Sequence, residues 1–366
     1  FSAISILETS SSCAVSTRIL AEDAAGQLAS HLRSQHALFD SSLAAPLSHE
    51  ARRIQVALSE RTYKGILVYP HVVYWEPLQT PQQLLRAFAK EGWLCFFCEL
   101  PALQGVCREV EPNLFITYES DLLQAVGDRH VTVLQTWMGS QAFVDRLPNK
   151  TVWYCILDHL QIFSYYDDFY LELHQKALAS ADAISYVAAP LRKWTGERAD
   201  AIYLPNGVNA SEIASVREGF VPPDMKPILA TGHKIIGYYG YLADWFDYNM
   251  VREMAQSRPD WEVVIIGKAI HETTLIEDVP NIHLLGLKPY GELSDYSKFF
   301  DVATIPFLVN EKMDCVSPIK FYEYLALGKP VVTSRMKEIE SYAAIYDFIS
   351  CACGKDEFLF YLEKSL

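Results

Sequence analysis

At 366 residues, half of them apolar and 21% charged, the chain is too long for one small module and too hydrophobic to be disordered, so two folded domains are expected. The formal charge is −14, and no cluster of Lys or Arg is dense enough to follow a phosphate backbone, which argues against nucleic acid as a partner. An anionic small substrate stays compatible with that charge, because a pocket needs only a few local donors.

Eight cysteines are scattered along the chain, a usage that fits a reducing compartment. The Cys95-Phe-Phe-Cys98 spacing lies inside an apolar run and reads as two packed strand thiols rather than a metal or redox pair. No apolar run reaches the roughly 20 residues of a membrane-spanning helix. The first residue is Phe rather than Met and no basic segment precedes the apolar patch, so a signal peptide cannot be read and a trimmed start is expected.

Residues 1–62 are rich in Ser and Ala. Their apolar positions recur at helical spacing, at Ile19, Leu20, Ala24, Leu28 and Leu32 and again at Ile54, Val56 and Leu58, which predicts helices on either side of a break at Ala45-Pro46-Leu47-Ser48. This segment reads as a packing or assembly element. From Lys64 onward short apolar runs alternate with amphipathic stretches, the pattern of a parallel sheet with crossover helices. Strands are predicted at Gly65–Tyr69, Leu94–Cys98, Phe115–Tyr118, Val131–Gln135, Val152–Leu157, Ala183–Val187 and Ala201–Leu204, with helices at Pro81–Glu91, Phe169–Ala181 and Ala189–Thr195. Pro205-Asn206-Gly207-Val208 predicts a tight turn that closes this half. After a polar linker near 205–233 the alternation restarts, with strands at Lys234–Tyr239, Trp261–Ile266, Ile282–Leu285, Val302–Ile305 and Pro330–Thr333 and helices at Asn249–Gln256, Tyr290–Phe299 and Pro318–Leu327. The expected organisation is a helical extension at 1–62, a first Rossmann-like domain at 63–204 and a second at 205–366.

In the stretch Ser317–Val332, Ser317 suits a helix N-cap, Pro318 its first position and Gly328 its C-terminal stop. A helix N-terminus offers unpaired N–H groups and partial positive charge, and Lys320 in its first turn suits a place where a phosphate offsets an otherwise unfavourable cation. Glu323, three residues on, shares the face of Lys320, so the pair can address a diphosphate and a ribose. By spacing alone an ordinary intrahelical Lys–Glu pair reads equally well. At the ends of first-half strands, His71, Asp158 and His159 are polar candidates for an acceptor or sugar, where open α/β sheets place their ligands. Gln82 and Gln83 begin a helix on the same side. The aromatic run Phe163–Tyr170 suits either stacking or packing, and Trp245 and Phe246, between Asp244 and Asp247, form a loop suited to a ligand.

The second half resembles the donor domain of GT-B-fold glycosyltransferases of the group-1, family-4 type. The likeness is carried by Leu204–Asn209, Ile236–Asp247, Asp260–Gly267, Asn281–Gly286, Asp301–Phe307 and Ser317–Val332 in matching order and spacing. A weaker likeness to the acceptor-side domain of bacterial exopolysaccharide and teichuronic-acid type transferases lies in Thr80–Arg86 and Val152–Asp158. The resemblance implies an α/β fold of two Rossmann-like domains facing a cleft. It also implies transfer of a sugar from a nucleoside-diphosphate sugar to a glycan or lipid-linked acceptor, with retention, in cell-surface polysaccharide or glycoconjugate synthesis. No metal and no bound cofactor are expected; the nucleotide sugar is a co-substrate.

Carried over by position, Lys320 contacts the diphosphate, Glu323 the ribose, and Ser317 brings the helix start to the phosphates. Pro318, Ile319, Tyr239, Gly240, Asp244 and Asn310 complete the expected donor side. Lys320, Asp158 and His159 are the expected catalytic set, with His71, Gln82 and Gln83 on the acceptor side. Two departures stand out: eight residues before Glu323 lies Cys315, where relatives often carry a first Glu, and the Tyr239–Asp244 loop lacks the basic residue many relatives have. Neither Glu311 nor Asp314 is in register to replace that Glu. A non-catalytic scaffold and a nucleotide-sugar epimerase are the alternative readings. The expected location is cytoplasmic, with peripheral contact to the inner membrane face for lipid-linked acceptors and with enzymes of the same pathway fused or associated.

Overall fold

The computed structural model describes residues 47–76, 78–99, 107–160 and 168–366. The chain divides into two compact units, one running to Tyr186 and resuming at Arg192–Ile202, the other made of Val187–Leu191 and Tyr203–Leu366. Most of the predicted aromatic run at 163–170, the first predicted helix and Cys13 lie outside the described residues.

The first unit is built on β1 (Ile66–Tyr69), β2 (Leu94–Cys98), β3 (Arg108–Glu111), β4 (Leu114–Thr117), β5 (Val131–Gln135), β6 (Lys150–Ile156), β7 (Ala183–Tyr186) and β8 (Ile202–Tyr203), in the order β3-β4-β2-β1-β5-β6-β7-β8. Parallel registers join β4, β2, β1, β5, β6 and β7, and β3 pairs antiparallel with β4 at one edge. β1, β2 and β4 are buried along their whole length, as strands covered on both faces must be, which is why they read as unbroken apolar runs. The Cys95 and Cys98 thiols point into this packed interior, and burial pushes the Cys95 pKa up to about 12, so neither is a ready thiolate.

Helix His49–Glu60 belongs to this unit's core instead of forming a separate extension. Ser48 caps it by accepting from Ala51 N (2.9 Å) and donates to Asp121 (2.6 Å) on helix Glu119–Val126. Ala51, Ile54, Ala57 and Leu58 pack inward, whereas Val56, which the spacing placed with them, is half exposed on the opposite face.

The second unit holds β9 (Lys234–Tyr239), β10 (Trp261–Ile266), β11 (Ile282–Leu284), β12 (Val302–Ile305), β13 (Val331–Ser334) and β14 (Ile349–Ala352), all parallel, in the order β11-β10-β9-β12-β13-β14. The predicted linker at 205–233 is packed onto this unit. Ile213, Met225 and Ile228 are buried, and the Arg217 side chain and backbone N–H both donate to the buried Asp295 carboxylate (2.5 and 2.8 Å). Gly207 lacks the left-handed backbone of the expected tight turn; Asn206 instead donates its amide to the Ser317 carbonyl (2.7 Å), so a tertiary bond directs the chain. The helix expected over Tyr290–Phe299 is a 3₁₀ turn at Tyr290–Glu292 followed by a short α-helix at Leu293–Ser297.

Gly237, inside β9, faces Phe300, and a Cβ there would sit 2.0 Å from a ring atom of that fully buried side chain. Gly237→Ala is expected to cost about 1–3 kcal/mol by overpacking, read as a lower urea midpoint at unchanged slope. Adding Phe300→Leu should recover part of the loss, and an undiminished midpoint in the single variant would contradict this packing.

Candidate functional site

In the second unit the strand order reverses between β9 and β12, and helix Ile319–Ala326 follows β12 in the chain. Such a reversal leaves a crevice at the carboxyl ends of the strands. β9 delivers Tyr238, Tyr239 and Gly240 to that edge, and Phe307 follows β12. The Lys320 ammonium lies over two of their rings, 4.9 Å from the centroid of Phe307 and 5.6 Å from that of Tyr238. It makes no hydrogen bond or ion pair to a described residue. Desolvation pushes its pKa down to about 8, against the pull of Glu323.

Gly240 makes this placement sterically open. Its φ is 144°, and a Cβ there would approach the Lys320 Cε and the Tyr238 hydroxyl to 2.8 Å. Gly267, at φ 152° on the end of β10, backs it so closely that a Cβ would lie 1.8 Å from the Gly240 carbonyl oxygen.

Glu323 is buried, at 4% exposure, and accepts from the Tyr290 hydroxyl (2.9 Å). Burial pushes its pKa up, opposed by the tyrosine hydroxyls and the Lys320 charge. The Tyr239 hydroxyl is also buried beside Glu323, and burial together with that carboxylate holds its pKa well up. An ammonium that closes no ion pair with a described residue, a helix start, a sunken carboxylate and two buried tyrosine hydroxyls thus share one edge of the sheet. This set can receive an anion at Lys320 and a hydroxyl-bearing group at Glu323.

The helix begins one residue later than expected: Pro318 is the N-cap and Ile319 the first helical residue. Ser317 is buried, its hydroxyl 3.2 Å from that of Tyr322 and accepting from Asn206 N at 3.4 Å, so it fixes the approach to the helix rather than capping it. Asn310 accepts from Met313 N (3.0 Å) as the cap of helix Glu311–Asp314, a local duty that explains its presence. Asp244 is exposed on the loop after β9, while Asp247 caps helix Tyr248–Ser257. Cys315 is buried, and Asp314 accepts from Lys337 N (3.3 Å), so Asp314 is committed elsewhere. Among the described residues no group of three or more His, Cys, Asp or Glu is set to hold a metal ion.

In the first unit the order reverses between β1 and β5, and a small cavity open to solvent lies at that edge. Tyr69, Thr136, Trp137, Tyr154, Asp158 and His159 are among its lining residues. The His159 ring stands edge-on to Trp194, with centroids 5.3 Å apart. His71 is bound to Glu119, Nδ1 to carboxylate oxygen at 2.6 Å; burial opposes its protonation, but the Glu119 charge prevails and the pKa is raised. Gln82 is not available to a ligand. It is fully buried, donates to the carbonyls of Tyr74 (2.9 Å) and Trp75 (3.1 Å), and accepts from Gln79 N (3.2 Å), pinning the preceding loop to its helix. Gln83 accepts from Arg86 at 3.0 Å. Sequence reasoning missed Tyr238, Phe307 and Tyr290 in one unit and Tyr69, Thr136 and Trp137 in the other. Aromatic residues just at or beyond strand ends were the available signal for most of them.

Comparison with known proteins adds identity to this geometry. Residues 234–346 match the family model described as "Glycosyl transferases group 1". A Bacillus subtilis (strain 168) protein, TuaH, named for teichuronic acid biosynthesis as a glycosyltransferase, is 26% identical over 179 residues, which are 45% of this chain and 44% of that protein. The chain therefore matches less than half the length of this relative. Among solved structures, sucrose-phosphate synthase from Thermosynechococcus elongatus superposes with a TM-score of 0.60 at 12% identity, over 82% of this chain and 89% of the other. The E. coli trehalose-6-phosphate protein with UDP-2-fluoro glucose gives 0.61 at 12%, over 82% and 91%. Anabaena Alr3699/HepE with UDP gives 0.56 at 12%, over 82% and 89%. These likenesses show a GT-B fold.

Tyr290→Phe removes a donor to Glu323 and should raise that carboxyl's pKa further. A carboxyl raised in the folded state loses stability as pH climbs from its unfolded value through its folded one, so the variant's penalty should be larger at pH 8 than at pH 5. The expected loss at pH 8 is about 1.5–3 kcal/mol, that of a hydrogen bond to a charged group. Urea midpoints at the two pH values measure it, and a penalty equal at both would place Glu323 in another environment.

Proposed function

We propose, from the premise that residues 234–346 form a group 1 glycosyltransferase domain within a GT-B fold, that the chain transfers a sugar from a nucleoside-diphosphate sugar to a glycan or lipid-linked acceptor. The observation that carries this reading is Lys320, a desolvated ammonium that closes no ion pair with a described residue, at a helix start on the switch point of the second sheet. Glu323 takes the ribose hydroxyls of the donor, supported by its burial among tyrosine hydroxyls. UDP sugars are the favoured donor class, since HepE and the E. coli protein are described with UDP or a UDP sugar.

The chemistry follows from charge development. As the bond between the anomeric carbon and the diphosphate oxygen breaks, negative charge builds on that oxygen, and Lys320 with the N–H groups of the helix start stabilises it as it forms. The fixed cation takes the place that a metal fills in other transferases, so transfer is metal-independent in this reading. The acceptor hydroxyl attacks from the face that the diphosphate leaves, with retention, and the departing phosphate accepts its proton. The first unit's Asp158 and His159 hold the acceptor. Cell-surface polysaccharide synthesis is the pathway the TuaH likeness favours. No helix of the described residues is long and apolar enough to cross a membrane, and the proposed place of action is the cytoplasm, at the inner membrane face where acceptors are lipid-linked.

Calorimetry against UDP, with and without magnesium, tests the donor site. Lys320→Ala should weaken UDP about tenfold or more, as expected for losing a charge-assisted contact, and Glu323→Gln should weaken UDP but not inorganic pyrophosphate. Because free Lys320 loses its proton as pH rises through about 8, UDP binding at pH 9 should take up a proton in the wild type and none in Lys320→Ala. UDP affinity unchanged in both variants would remove the proposed site.

A further inference from the structure

The two switch-point sites have opposite electrical character. In the second unit the site is built around a cation, Lys320. Among the described residues lining the cavity of the first unit there is no Lys or Arg, and there is one carboxylate, Asp158. Asp158 is half-buried and makes no hydrogen bond to a described residue.

The tyrosine hydroxyls of the wall are already engaged. The Tyr69 hydroxyl pairs with Thr136 Oγ1 (3.0 Å). His174 Nε2 faces the Trp194 carbonyl at 2.9 Å and must carry the proton, so its Nδ1 accepts from the Tyr154 hydroxyl, also at 2.9 Å. Burial holds both phenols protonated. Tyr69 and Tyr154 therefore offer the cavity ring carbon rather than free donors, and Trp137 adds a third aromatic. Ring faces suit the C–H face of a pyranose, and a lone carboxylate suits its hydroxyls as donors.

We infer that this cavity takes an uncharged or amine-bearing sugar ring, anchored by hydroxyl or ammonium donation to Asp158, and rejects sugars that carry a carboxylate or phosphate. The inference rests on the proposed transferase reading for its biological meaning and narrows the acceptor to a class. Rejection follows because an anion there meets a fixed negative charge and finds no Lys or Arg among the described lining residues.

Saturation-transfer NMR on the full chain tests it, with UDP at saturation to keep sugars out of the second unit. The probes are methyl β-D-glucopyranoside, methyl β-D-glucosaminide, methyl β-D-glucuronide and methyl β-D-glucopyranoside 6-phosphate. The first two should bind at least tenfold more tightly than the last two. Asp158→Asn should shrink that ratio to threefold or less, and Asp158→Ser, smaller and also uncharged, should do the same, while UDP affinity stays at the wild-type value in both. Equal or preferred binding of the anionic sugars, an unchanged ratio in both variants, or silence from every sugar overturns the inference. If UDP itself fails to bind wild type, the donor reading falls, and the ratio between neutral and anionic sugars still decides this one.

Discussion

Everything at the carboxyl edge of the second sheet depends on keeping one ammonium out of water without a carboxylate close enough to form an ion pair with it. Lys320 manages this by lying over the rings of Phe307 and Tyr238, whose faces supply partial negative charge but no full one. The strand ends are shaped around that arrangement. Gly267 has no Cβ, which lets the Gly240 carbonyl approach; Gly240 has none, which leaves room for the Lys320 side chain. Two glycines on adjacent strands are thus consecutive conditions for one side chain's position. A side chain at either would displace the next layer outward. The cation closes no ion pair with a described residue, and its lowered pKa reflects the loss of water around it, only partly offset by the Glu323 charge.

The carboxylate on the same helix is handled differently. Glu323 is sunk among tyrosines, where Tyr290 donates to it and the buried Tyr239 hydroxyl also lies beside it. Lys320 and Glu323 feel each other's charge without closing an ion pair, so each remains available to a different part of a ligand. Where relatives often carry a second carboxylate, Cys315 is packed into the core. The sugar end of a donor would therefore meet fewer acidic groups here than the resemblance implies, and the binding load falls on the diphosphate and ribose contacts.

Much of this was legible before the structure. Unbroken apolar strands, Gly328 as a helix stop and the Lys320–Glu323 spacing each depend on local chemistry that a sequence displays. What was not legible depends on tertiary partners. Asn206 looked like half of a tight turn because Asn-Gly favours one, but its amide is drawn to the Ser317 carbonyl. Gln82 looked like a polar ligand group at a helix start, and only the position of the preceding loop shows its amide spent on two carbonyls. His71 was placed correctly at a strand end, yet its partner Glu119 lies 48 residues away. Residues 205–233 looked like a linker because they are polar, whereas Arg217 anchors them to a buried Asp295.

Net charge was the least informative quantity. At −14 the chain as a whole repels anions, yet one switch-point site is built around an unneutralised cation and the other around a carboxylate. Screening over about 8–10 Å at ordinary salt explains how both persist on one molecule, since each site answers to the charges within its own walls. Desolvation then amplifies those few charges, because a low-dielectric wall strengthens an attraction and a repulsion alike. In the proposed reading a diphosphate would be drawn to Lys320 for the same physical reason that a uronate would be turned away from Asp158. Two sheets of similar topology would then take different ligands through one charge at the same place in the fold.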